Sequence, residues 1–99
     1  MYDDGALVSA IRRQQEPRVM IDGALEIIAR RQRYDPRFAE RYRNLLPIVV
    51  SELQAMQAGT LWGEPSYRYF LVDEWDYRDP LVELLLAIKR MHGKQRCHG

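Results

Sequence analysis

A mainly α-helical fold is predicted for this 99-residue chain: a small bundle of three or four helices with a short extended or β-hairpin insertion. Three features predict it. Apolar residues recur at spacings of three and four along most of the chain, as one face of a helix requires. Two Asp-Pro pairs, Asp35–Pro36 and Asp79–Pro80, set a capping carboxylate before a proline suited to the first helical turn. Only residues 60–78 depart from the helical period toward alternation.

The elements follow in chain order. Ala6 to Gln15 is a short helix candidate, with Asp3 or Asp4 as its cap. Pro17 opens a helix to about Arg33, whose face is Met20, Ala24, Ile27 and Ile28, with Ile21 and Leu25 beside it. Gly23 costs that helix about 1 kcal/mol and signals a close neighbour or a kink. From Asp35 to Gly59 a third helix carries the stripe Phe38, Tyr42, Leu45, Val49, Leu53 and Met56. Pro47 removes an internal hydrogen bond and should bend it near Arg43, while Gly59 offers a left-handed stop. Residues 67–72 alternate and are rich in strand formers, so the segment reads as a strand, pairing with residues 60–64 if it pairs at all. The last helix starts at Pro80, carries Leu81, Leu84, Leu85, Ile88 and Met91, and should end at Gly93.

Residues 1–93 form one helical domain in this reading, and 94–99 a basic flexible tail. A chain of this length buries roughly 65% of its unfolded surface, enough for one core. The single cysteine, Cys97, fits a reducing compartment, no secretion leader is legible, and apolar runs are too short to span a bilayer. A cytoplasmic protein with no membrane partner is the expectation. The net charge of +1 hides a segregation. Residues 12–43 hold nine arginines against five acids, whereas residues 44–88 hold seven acids against two arginines. Such asymmetry bears on partners more than the total does.

No catalytic set is legible. The serines lie in no nucleophile elbow, the histidines sit at the tail, and no glycine-rich loop could cradle a phosphate. His92, Cys97 and His98 are too few and too crowded for a zinc site, and Asp73, Glu74, Asp76 and Asp79 lack the calcium-loop pattern. Neither a metal nor a cofactor is expected.

Two constellations point to binding instead. Two tryptophans, three tyrosines and a phenylalanine stand among acids between Trp62 and Tyr77. Aromatics bury large area at low entropic cost and anchor interfaces, and acids beside them steer basic partners. The expected partner-binding residues are Trp62, Tyr67, Tyr69, Asp73, Glu74, Trp75, Asp76 and Tyr77. The competing explanation is that some of these rings simply fill the core. The second constellation is Arg30, Arg31, Arg33, Arg37, Arg41 and Arg43, interleaved with Tyr34, Phe38 and Tyr42. Arginines hold phosphates and rings stack on bases, although Glu26, Asp35 and Glu40 could pair with the arginines instead.

The leading expectation is a non-catalytic protein–protein interaction module, of the kind a phage or bacterium uses to bind and inhibit or modulate a host protein. The alternative is a small nucleic-acid-binding regulator using the arginine cluster and the basic tail. Val82 and Leu86 widen the apolar face of the last helix beyond one ordinary contact, which predicts a homodimer through that face.

Overall fold

In the computed structural model, described for residues 4–76 and 78–97 (backbone alone at Val72 and 94–97), every regular element is a helix. The helices are α1 (Gly5–Gln14), α2 (Pro17–Tyr34), α3 (Pro36–Arg41), α4 (Leu46–Ala58), α5 (Tyr67–Asp73) and α6 (Pro80–Cys97). The mainly α class is therefore correct. The architecture differs from a three- or four-helix bundle with a hairpin: six helices form, and no strand occurs among the described residues.

Helix α2 spans almost the range its stripe predicts, and Met20, Ile21, Ala24, Ile27 and Ile28 are all buried. Gly23 has the close neighbour its cost implied. A Cβ there would lie 2.6 Å from Ile11 Cδ1 of α1, so the missing side chain lets α1 settle onto α2. Asp4 stands at the N-cap of α1 without a side-chain capping bond, because its carboxylate is engaged by Arg31.

The expected long helix from Asp35 is interrupted rather than bent. Asp35 caps α3 by accepting from Phe38 N at 3.2 Å, residues 42–45 form a turn, and α4 starts afresh with Pro47 in its first turn. Proline has no N–H to continue the ladder and its ring crowds the carbonyl one turn back, so the break falls just before it. The stripe survives the break: Phe38, Tyr42, Leu45, Val49 and Leu53 all face the core. Gly59, at φ 75°, stops α4, and Thr60 N reaches back to Ala55 O at 2.8 Å.

The strand expected at residues 67–72 is α5. Three donors at its start converge on one side chain: Ser66 N and Oγ and Tyr67 N all donate to the Glu52 carboxylate, at 2.6, 3.0 and 2.9 Å. A carboxylate borrowed from α4 thus supplies the N-terminal acceptor that the local sequence lacks, and satisfies the free N–H groups of a first turn. Tertiary support of this kind overrides the strand propensity of the residues.

Helix α6 packs against α1, α2 and α5, and α2 against α1, α3, α4 and α6. Leu81, Leu84 and Leu85 are fully buried, and each such side chain contributes about 1.5–3 kcal/mol relative to exposure. Val82 is buried too, at 6% exposure, and Leu86 is half-buried. Neighbouring helices of the same chain thus cover Val82 and part of Leu86, the two residues that widen the apolar face of α6. The backbone of α6 runs through Gly93 to Cys97, so that glycine does not end it. Among the described residues, no helix is long and apolar enough to cross a membrane.

Candidate functional site

The aromatic–acidic stretch divides into an inner and an outer set. Its inner set is built around Arg31. Along α2, Arg31 follows Ile27 and Ile28 on the apolar stripe, and its guanidinium is only 5% exposed. Asp79 meets it as a fork, Nη1 to Oδ2 at 2.6 Å and Nη2 to Oδ1 at 2.8 Å, and Asp4 accepts from Nε at 2.9 Å. Burial opposes the charge on Arg31, but the hydrogen bonds and attraction of Asp79, then of Asp4, outweigh it and raise its pKa further. Asp79 also accepts from Trp75 Nε1 at 3.0 Å and from Leu81 N at 3.0 Å, so one carboxylate joins α2, the turn before α6 and the start of α6.

Trp75 is accordingly a core residue, 4% exposed. Its ring stacks on Tyr42 at 3.9 Å and 7°, and meets Phe38 edge-on at 5.7 Å. Phe38 in turn lies beneath the Arg31 guanidinium at 5.1 Å. Tyr67 is fully buried, and its hydroxyl donates to Leu85 O at 2.7 Å. Burial, reinforced by the Glu52 charge, holds its phenol well above the ordinary tyrosine range. Tyr67 and Trp75, both expected at a partner surface, are corrected to core positions. Asp76 is a local brace: its carboxylate accepts from Arg78 N at 3.0 Å, and its own N–H donates to Tyr42 Oη at 3.3 Å. The backbone hydrogen bond from Arg78 holds its carboxyl below the usual range. Tyr77 lies outside the described residues.

The outer set is Trp62, Tyr69, Asp73 and Glu74. Trp62 is 85% exposed and Tyr69 62%, the first on the α4–α5 loop and the second on the outer side of α5. Asp73 is exposed one helical turn beyond Tyr69, and Glu74 follows it, also exposed. The loop bearing Trp62 is fastened at several points. His92 Nε2 donates to Gly63 O at 3.2 Å, Lys89 pairs with Glu64 at 3.5 Å, and Arg68 also pairs with Glu64. Desolvation works against the Glu64 charge, but Arg68 and then Lys89 hold its carboxyl below the usual range. Arg68 lies over the Tyr69 ring at 5.2 Å.

The arginine cluster divides as well. Arg31 leaves it for the core, whereas Arg30, Arg33, Arg37, Arg41 and Arg43 are exposed. Of the acids expected to neutralise them, Glu40 reaches only Arg43, at 3.7 Å, and Asp35 serves as a cap. Arg37, Arg41 and Arg78 line a cleft of about 370 Å³ between α3 and the turn before α6. A second cleft, about 320 Å³, lies between α2, α4 and α6 and is lined by Ile21, Met56, Ile88 and His92 among others.

Comparison with protein-family models, with curated proteins and with solved structures finds no match for this chain. The reading of function therefore rests on these surfaces alone. The Arg31–Asp79 pair was missed at the level of sequence, although one signal was present: a charged residue at helical spacing on an otherwise apolar stripe.

Proposed function

We propose that this protein is a protein-interaction module whose contact surface is the α4–α5 loop and the outer side of α5. The observation that carries the reading is Trp62, a large ring left 85% exposed on a loop fastened to α6 and α5. Leaving an indole in water forgoes about 2 kcal/mol or more of burial, and interfaces recover that energy when such a ring enters a partner's pocket. A fixed loop reduces the ordering entropy that binding would otherwise cost. Tyr69 adds a second anchor, while Asp73 and Glu74 favour a partner with basic groups near its apolar contact. Binding and modulating a host protein, as a small phage or bacterial accessory factor does, is the role this surface suits.

The test is a tagged pull-down from the native cell with mass spectrometry, comparing wild type with the Trp62→Ala/Tyr69→Ala variant. A protein retained by wild type and lost by the folded variant supports the reading. Equal retention by both overturns it.

A further inference from the structure

We propose a second interaction surface, independent of Trp62: the corner where α2 meets α3 binds single-stranded nucleic acid, with arginines on phosphates and Tyr34 on a base. Arg30, Arg33 and Tyr34 stand on the last turns of α2, and Arg37 and Arg41 lie one turn apart on α3. Among the described residues, Arg30, Arg33, Arg37 and Arg41 have no carboxylate at ion-pair distance. The facing carboxylates are already engaged. Asp35 accepts from Phe38 N, Asp76 from Arg78, and Asp79 from Arg31, Trp75 and Leu81. Arg41 acts on Asp76 only from beyond ion-pair distance, with its guanidinium over Tyr42 at 5.2 Å. Four exposed guanidiniums are thus left without a carboxylate partner, and Arg37 and Arg41 line a cleft of phosphate size whose other walls include Asp35, Asp79 and the Asp76–Arg78 pair.

Tyr34 selects the kind of nucleic acid. Its ring is 74% exposed at the end of α2, with the Arg33 guanidinium 6.0 Å from its centroid. A base can stack on such a ring only when it is free of a duplex, and stacking of this type tolerates any sequence. Phosphate contacts supply most of the affinity and make it fall with salt, by a slope near −0.7 per contact for single strands.

The probe is a fluorescein-labelled oligothymidylate of about fifteen nucleotides, near the upper site size of such surfaces. Its anisotropy is followed between about 50 and 200 mM salt, beside a duplex of equal length. Four contacts predict about a fiftyfold loss of affinity over that range. The Arg37→Gln/Arg41→Gln variant should lower the slope by about 1.4, and Tyr34→Ala should weaken binding about tenfold with the slope unchanged. Amide shift changes on the unaltered protein should map to residues 30–41, which keeps the test valid even if a variant folds poorly. No binding at the lowest salt, shifts elsewhere on the molecule, or duplex bound as tightly as single strand with no effect of Tyr34→Ala would each overturn the proposal.

Discussion

At the scale of single residues, Asp79 carries more than any other side chain. It caps α6, accepts the Trp75 indole N–H and neutralises Arg31, all while 5% exposed. Removing one partner of a buried pair strands the other's charge, at a cost of about 3–5 kcal/mol. Asp79→Ala should therefore lose that much stability in urea unfolding. Glu83→Ala, which breaks only the exposed pair with Arg12, should lose about 1 kcal/mol or less. A cost for Asp79→Ala no larger than that for Glu83→Ala would remove Arg31 from its central place. Tyr67 makes a pH-dependent prediction. Its pKa is raised on folding, so its contribution is complete below about pH 10, where the unfolded phenol starts to ionise, and is lost as pH climbs further. Tyr67→Phe should cost about 1 kcal/mol at neutral pH, through the lost bond to Leu85 O. Between pH 10 and 11 wild type should lose about 1 kcal/mol more than the phenylalanine variant. Parallel stability curves for the two proteins would contradict this.

At the scale of elements, two helices depend on a neighbour. Glu52→Ala should cost about 1 kcal/mol and speed amide exchange across residues 66–70, since α5 would lose the acceptor for its first turn. Gly23→Ala should destabilise even though alanine is the better helix former by about 1 kcal/mol, because the new Cβ meets Ile11 Cδ1. Ile11→Val, which removes that atom, should restore part of the loss in the double variant. A stabilising Gly23→Ala would show that the Ile11 side chain swings clear and the helix gain wins. These two cases also show what sequence could disclose. The stripes of α2, α4 and α6, the proline starts and the Gly59 stop were legible because each is set by residues within one or two turns. Over α5 the sequence favours a strand, because the cap of this helix comes from Glu52, on another element. Its period was nonetheless visible: Tyr67, Leu71 and Trp75, spaced by four, are the residues it and its following turn bury. Alternation across residues 67–72 was the weaker signal, and favoured only because β-formers fill it. For the site, sequence density marked one segment but could not divide it, since Trp62 and Trp75 differ only in what folds against them.

At the scale of the whole molecule, the fold separates two surfaces of opposite character around one core. The charge segregation along the chain survives as arginines at the α2–α3 corner and as aromatics with acids on the α4–α5 loop and α5. The interior of the same aromatic segment locks the Arg31 hub. The claim that most needs testing is that Trp62 serves binding and Trp75 serves folding. Both are single tryptophan-to-alanine changes in one segment, so the same loss of ring area is compared in each. The decisive measurement is site-specific photocrosslinking in the native cell, with a photoreactive phenylalanine analogue at position 62, at position 69, and at exposed Arg18 on α2 as control. The proposed function predicts one discrete heavier adduct from positions 62 and 69 and none from position 18. Purified Trp62→Ala should keep wild-type stability within about 0.5 kcal/mol, while Trp75→Ala loses about 3–5 kcal/mol. Absence of any adduct from position 62, or the same adduct from position 18, would contradict the account.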